Sequence, residues 1–540
     1  MGKRLGIISL LALILTFGNP LLTAGPQSSS RPSVINKPKL IIMLVIDQFR
    51  YDYLVRFRPE FAKGGFNLLL QGANFVDCRY DYAITATCPG HATLATGAYA
   101  NLNGIIGNTW WVPSEHRETY CAADSSVQPV GAAPGQGMSP KNLTASTFGD
   151  ELRLVTGFQS RVVTVSWKDR AAIMLGGHLA NGAYWADPDT AHFITSTYYM
   201  PTLPKWVSDF NAQSPAKAYC GKPWRALEET PGVGGQVLHR PPAETGQPCP
   251  SPKFTAWLPD SPYANQMELD FALAAIENER LGHGPDPDLL AVSLSANDYI
   301  GHAYGPYSPE VADVTLQTDR YLAEFFSKVD QLVGLDNVWI TLSADHGVAP
   351  SPQFILDHHL GRGHFNPQVL KGVVQQALSD AFGQGDWVVN VDEFYVDLNH
   401  DVLASHHIDP DRAEAVAARA IDAVPGVRIA FTRGQFLNGQ LPPTPLARKF
   451  SNSFNPAHSG DIFFIPEPYA VETQSETGST HGTPWNYDAQ VPLVFWGNAF
   501  KPGTYTLPAQ PIDLASTLAA ALGISQPSDA QGSPLSIALK

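Results

Sequence analysis

The sequence predicts an α/β domain wound on both faces of a mostly parallel sheet. Three observations carry that expectation: short, uninterrupted apolar runs recur along the chain, helix-period segments separate them, and polar residues able to do chemistry follow directly on several runs. The first run spans 40–46 and ends in Asp47; others fall at 162–165, 289–294, 338–342, 462–465 and 491–496. Runs without polar alternation are the mark of strands buried on both faces, the habit of a parallel sheet. Between them, residues 267–281, 311–333, 368–382 and 412–423 have helical periodicity, and 512–522 is a further amphipathic segment. Alternation of the two patterns indicates a doubly wound sheet, in which ligands bind at the carboxyl ends of the strands. Asp47, Lys168, Asp298, Asp345 and His346 all stand at such places.

Two stretches depart from the alternation. Residues 198–263 are turn-rich, and residues 355–460 hold a strand–helix–strand pattern of their own (394–398, 412–423, 427–432), so both are expected to be insertions in one catalytic domain of residues 39–540. At the N-terminus, Lys3 and Arg4 precede an apolar segment at 6–17, and a small-residue cleavage site ends near Ala24. This is the pattern of a secretory signal peptide (residues 1–24), too short to span a bilayer. A Ser/Pro-rich linker (25–38) follows, and the mature protein is placed outside the cytoplasm, secreted, periplasmic or extracellular, without a stable membrane anchor.

The chain has 540 residues, 44% of them hydrophobic and 16% charged, enough for a large core and too few polar tracts for disorder. Its net charge of −15 argues against nucleic acid or an anionic membrane as partner, since both demand a basic face. Five cysteines in an oxidising compartment should partly pair. Cys220 and Cys249 flank an irregular Pro/Gly-rich segment and are expected to bridge; Cys78 with Cys121 is the second expected pair.

The candidate metal ligands are Asp47, the Asp298/His302 pair four residues apart, Asp345-His346 after the run at 338–342, and His481 in a polar loop. Each alone has an ordinary structural explanation, such as a helix cap or a core imidazole. Three carboxylates and three imidazoles at successive strand ends have no shared structural reason to be there, and such O/N donors suit zinc. Thr87, in Thr87-Cys88-Pro89-Gly90-His91, reads structurally as an N-cap, and a hydroxyl at a helix start also faces N–H groups that favour an anion.

The order Asp47, Thr87-x-Pro89-x-His91, Asp298-x-x-x-His302, Asp345-His346-Gly347 and His481-Gly482 resembles the alkaline phosphatase superfamily, in its threonine-nucleophile branch that includes phosphodiesterases and nucleotide pyrophosphatases. The resemblance runs from about residue 40 to the C-terminus, including 511–524, and leaves out only the two insertions. It implies an alkaline phosphatase-like fold and two zinc ions, one held by Asp47, Asp345 and His346 and touching the Thr87 oxygen, the other by Asp298, His302 and His481. The loop around Asn108 resembles one whose asparagine donates to a phosphoryl oxygen. Lys168-Asp-Arg170 resembles the Lys-x-Arg segment of the PafA-like, phosphate-irrepressible alkaline phosphatases. A monoester dianion carries more charge on its non-bridging oxygens than a diester, and a Lys/Arg pair answers that charge. Both cations are expected on one face of an extended segment after the 162–165 strand.

What the resemblance implies is an exported phosphomonoesterase working through a phosphothreonine on Thr87, with Asn108, Lys168 and Arg170 gripping the phosphoryl group. Its expected partners are small-molecule phosphate esters and inorganic phosphate, and the expected assembly is a monomer or dimer. The alternative within enzymes is a phosphodiesterase or nucleotide pyrophosphatase with the same zinc–threonine site. A silent phosphate-binding protein and a metal-dependent mutase fit less well. Sulfatases of this superfamily use Cys-x-Pro-x-Arg; here Cys88 lies one place later and His91 replaces the arginine. Cys88 is therefore expected to stay reduced, since a disulfide beside the nucleophile would disturb it, and His91 is expected to support the loop without binding metal.

Overall fold

A computed structural model describes residues 37–243 and 249–540; the expected signal peptide and most of the linker lie outside the described residues. At its centre is a ten-stranded mixed sheet. From one edge the order is Gly503–Tyr505, Ala73–Phe75, Leu493–Trp496, Val338–Ser343, Leu40–Ile46, Asp288–Leu294, Val162–Ser166, Gly182–Ala186, Phe193–Ser196 and Pro129–Val130. The run from Val338–Ser343 to Gly182–Ala186 is parallel throughout. Leu40–Ile46 sits in the middle of it with all seven residues buried, which is why its sequence shows no polar alternation.

Helices cover both faces. Tyr263–Glu279 and Pro309–Leu332 pack together on one, and Thr87–Thr96, Phe148–Val155, Asp169–Gly176 and Asp513–Leu522 form the other layer. Register explains where the chemistry gathers: Ile46 pairs with Leu294, Val45 with Ser343, and Ser293 with Ser166. Four strands therefore end at one level, and the residues that follow them emerge side by side.

Two of the predicted runs differ from expectation. Residues 491–496 do enter the central sheet, as Leu493–Trp496, but antiparallel to both neighbours. Residues 462–465 do not enter it at all. They form Ile462–Pro466 in a separate four-stranded antiparallel sheet, in the order Val388–Asp392, Tyr395–Leu398, Ile462–Pro466, Val427–Thr432. The run is buried on both sides because aromatic residues of this second sheet share one apolar core with the segment around Ala83, Ile84 and Cys88. Burial dictates an apolar strand and is silent on which sheet it joins. Residues 198–263 include a two-stranded ribbon, Trp224–Arg225 with Val237–His239. Asp313 anchors that segment, accepting from Trp224 Nε1, Leu227 N and Thr230 Oγ1.

Cysteine pairing is corrected. Cys220 bridges Cys249 as expected, but the second disulfide joins Cys88 to Cys121, and Cys78 is the buried free thiol. Cys88 is the second residue of its helix and fully buried. Neighbouring helical residues point about 100° apart, so the bridge leaves the helix in a different direction from the Thr87 hydroxyl and does not obstruct it. Among the described residues, no helix is long and apolar enough to cross a membrane.

Candidate metal centre and nucleophile

Asp47 follows Leu40–Ile46 directly, Asp345 and His346 follow Val338–Ser343, and Asp298 and His302 lie one turn apart on Ala296–Tyr304. Asp298, His302 and His481 bring ligand atoms within 4.8 Å of one another, and so do Asp47, Asp298 and His346. Asp345 joins the second group through its Oδ2, 3.3 Å from His346 Nε2. Asp298 thus stands between the two clusters. The rings of His346 and His481 stack with centroids 3.5 Å apart.

All three imidazoles place Nδ1 against a backbone carbonyl: His302 on Ser479 O at 2.9 Å, His346 on Gly347 O at 2.9 Å, His481 on Thr85 O at 2.8 Å. That pairing puts a proton on Nδ1 and turns Nε2 toward the carboxylates, the orientation a metal ligand needs. His346 Nε2, Asp47 Oδ1 and Asp345 Oδ2 are buried without a hydrogen-bond partner. Buried polar atoms are rarely left so, and two carboxylate oxygens beside an imidazole nitrogen are the donor set of a divalent cation. The residues fit the expected metal.

The electrostatics agree. Burial, with Asp298 and Asp345 close by, pushes the Asp47 carboxyl well above its usual range. Burial works the same way on Asp298 but is outweighed by His302 and Lys168, which hold it low. Burial and the two neighbouring imidazoles hold His481 far below the usual histidine value, so it stays neutral. Three carboxylates converging in a water-poor pocket need positive charge. Lys168 supplies some of it: Nζ donates to Asp47 Oδ2 at 2.7 Å and to Asp298 Oδ2.

Lys168 and Arg170 do not share an extended segment. Lys168 is the last extended residue (φ −86°, ψ 128°), and Arg170 lies in the first turn of Asp169–Gly176. The helix begins one residue after the cation, and both side chains still line one cavity of about 700 Å³ with Tyr299, Trp167 and Trp185. Arg170 Nη1 reaches Tyr120 Oη at 3.5 Å, and its Nε is buried without a partner.

Thr87 opens the helix Thr87–Thr96, with Ala86 in the N-cap position and no side-chain cap. Its hydroxyl is therefore not spent on capping, contrary to the plain structural expectation. Every residue of this helix is buried, and it runs hard against the strand end carrying Asp345: a Cβ on Gly90 would lie 2.6 Å from Asp345 Cβ. The same segment touches the ligands twice more, through Thr85 O on His481 and His91 Nδ1 at 3.3 Å from Asp345 Oδ2. His91 also bonds Thr87 O and Ser293 Oγ, a bracing role for the loop. Asn108 Oδ1 accepts from Cys88 N at 3.0 Å, which leaves its Nδ2 as the donor.

Sequence reading passed over several groups. Gln48 sits in the left-handed region (φ 61°); its N–H donates to Asp345 Oδ1 and its amide to Asp298 Oδ1, spanning both clusters. Glu268, fully buried on Tyr263–Glu279, accepts from Trp167 N, Ser295 N and Ser295 Oγ, and so ties the Lys168 turn to the Asp298 helix; burial pushes its carboxyl up to about 8. The signal was an acid at helical spacing from Ala264, Phe271 and Ala272. Glu393, from the inserted sheet, gave no such signal.

A large mixed α/β sheet, metal-type ligands at its strand ends and a threonine opening a buried helix beside them together define the alkaline phosphatase superfamily. Comparison with known proteins narrows this. Residues 41–485 match the family model of type I phosphodiesterase / nucleotide pyrophosphatase. The chain is 34% identical to alkaline phosphatase PafA of Elizabethkingia meningoseptica over 95% of this chain and 97% of that protein. It is 37% identical to a Myroides odoratus protein named calcium-transporting ATPase, over 94% and 95%. A crystal structure of wild-type PafA superposes with a TM-score of 0.86 at 34% identity, covering 94% of this chain and all of that one. A PafA variant of known structure is substituted at a threonine, an asparagine, a lysine and an arginine, in that chain order (TM-score 0.85, 33% identity, 94% of this chain and 100% of that one). The chain belongs to the type I phosphodiesterase / nucleotide pyrophosphatase family, and within it to the PafA-like alkaline phosphatases.

Proposed function

We propose that this protein hydrolyses phosphate monoesters to alcohol and inorganic phosphate through a phosphothreonine on Thr87, with two zinc ions, outside the cytoplasm. The observation that carries the proposal is the pairing of Lys168 and Arg170 on one cavity wall, with Lys168 Nζ reaching the ligand carboxylates themselves. Charge at that place answers the oxygens of a phosphoryl dianion, where a diesterase must house a second organic group. The substituted threonine and asparagine of the PafA variant are 21 positions apart and its lysine and arginine two apart, the spacings of Thr87 to Asn108 and Lys168 to Arg170 here.

In the reaction, Thr87 Oγ gives up its proton to solvent and attacks phosphorus in line, the P–O bond to the alcohol breaks, and the leaving oxygen takes up a proton from solvent. Water then cleaves the phosphothreonine, and phosphate departs. Two in-line displacements give net retention at phosphorus. Asp47, Asp345 and His346 would hold one zinc, and Asp298, His302 and His481 the other. The ions, when bound, supply Lewis acidity at the attacking and leaving oxygens. Asn108 Nδ2, Lys168 and Arg170 orient the phosphoryl oxygens and stabilise their charge. His91, braced on Thr87 O and Ser293, keeps the helix start in place. Two disulfides fit an oxidising compartment, and hence export after cleavage near Ala24.

The test is kcat/KM for p-nitrophenyl phosphate over its methyl diester on zinc-loaded protein, with Lys168→Ala/Arg170→Ala alongside. A monoester preference that falls by at least ~10²-fold in the double variant is expected, the scale of losing charge-stabilising donors. A diester preference indifferent to both residues would overturn the monoesterase assignment.

A further inference from the structure

We infer that Glu393 is a positioning residue, and that the inserted four-stranded sheet exists in part to press this carboxylate onto the Asn108 loop. The inference rests on the reading of Asn108 as a phosphoryl contact. Glu393 lies at the tip joining Val388–Asp392 to Tyr395–Leu398, where Glu393 (φ 43°) and Phe394 (φ 72°) both adopt left-handed backbone. Consecutive non-glycine residues in that region cost free energy, which a fold sustains where the turn is held by its surroundings.

What holds this turn is the active-site loop, 285 residues earlier in the chain. Glu393 Oε2 accepts from Asn108 N at 2.7 Å, and Thr109 Oγ1 donates to Asp392. Glycine at residue 107 leaves room for this approach, since a Cβ there would overlap the Glu393 carboxyl group. On the other side of the tip, the Phe394 ring would lie 3.0 Å from a Cβ on Gly482, next to His481. Burial, with Asp392 beside it, pushes the Glu393 carboxyl up to about 8, and the charge of Arg170 works against that shift. One carboxyl group from the insertion thus holds the backbone of Asn108, one of the groups proposed to grip phosphate. The candidate metal ligands, by contrast, are braced by Gln48, Thr85, Gly347 and Ser479, all outside the four-stranded sheet.

Asn108 has two other anchors, Oδ1 on Cys88 N and its carbonyl on Cys121 N. These tie the loop to the nucleophile helix and its disulfide. Removing Glu393 should therefore loosen the loop without releasing it, and the loss should pass through Asn108.

The experiment is a double-variant cycle on zinc-loaded protein, reading kcat/KM for p-nitrophenyl phosphate, zinc content and Tm in Glu393→Ala, Glu393→Gln, Asn108→Ala and Glu393→Ala/Asn108→Ala. Glu393→Ala is expected to lower kcat/KM by ~10–10²-fold with zinc content unchanged, since small misplacement of a contact group costs that much. Glu393→Gln keeps a carbonyl acceptor and should recover to within ~5-fold of wild type. In the Asn108→Ala background, Glu393→Ala should cost less than ~3-fold, because coupled residues are not additive. Equal losses in both backgrounds, or loss that tracks zinc content or Tm, would overturn the inference and leave the function standing. An Asn108→Ala enzyme as fast as wild type would instead remove the phosphoryl role of Asn108, and the inference with it.

Discussion

His302, His346 and His481 each spend Nδ1 on a backbone carbonyl, so the orientation of their rings is set by main chain that is itself fixed in the fold. The Thr87 hydroxyl is not used as a helix cap, which leaves it available for the attack proposed above. At this scale the prediction concerns the nucleophile. Thr87→Ala should lose at least ~10³-fold in monoesterase kcat, as nucleophile deletions do, while zinc content stays at wild-type level. Acid-quench labelling with radioactive phosphate should trap a phosphoprotein in wild type and none in the alanine variant; labelling that persists would place the covalent step on another residue.

The helix Thr87–Thr96 is short, wholly buried and wedged between strand ends, so its position is decided by contacts on every side. Gly90 is one such contact. Gly90→Ala would drive a methyl group into Asp345, and either the helix or the ligand must move. The expected result is a destabilisation of ~1–3 kcal/mol from overpacking, with weaker zinc retention on dialysis than wild type. The Cys88–Cys121 bridge is the second such element, spanning a sequence separation of 33. By the loop-closure argument its removal costs ~3–4 kcal/mol. Cys88→Ala/Cys121→Ala should therefore show a lower urea midpoint, and activity below wild type even where the protein stays folded, because Asn108 is held by the N–H of one bridged residue and by that of the other.

For the molecule as a whole, the candidate site lies where the central sheet, the buried helix and the four-stranded sheet meet, so metal binding there would be linked to global stability. Asp47, Asp298 and Asp345 sit together in a buried pocket where like charges repel. Ligands bound only by the native state raise stability by about 4 kcal/mol at a thousandfold excess over Kd. Chelation is expected to lower Tm by several degrees and abolish turnover, and zinc to restore both. A chelated protein with unchanged Tm would mean that Lys168 already balances the cluster without a cation.

The sequence by itself determined the class of fold and the order of the chemical groups. Parallel strands buried on both faces must be written as continuous apolar runs, and the residue after such a run must emerge at the sheet's carboxyl edge; Asp47 after 40–46 and Asp345 after 338–342 are legible for that reason. Helical spacing of Asp298 and His302 is legible likewise. What only the tertiary structure decided is partnership between distant segments. An apolar run does not reveal its sheet, which is why 462–465 lies in the separate four-stranded sheet. Cysteine spacing does not reveal connectivity, which is why Cys88 pairs with Cys121 and Cys78 stays free. Glu393 carried no signal at all, since the group it meets lies 285 residues away. Local pattern records burial and periodicity, which each residue feels wherever it is, whereas pairing across hundreds of residues depends on the packed whole.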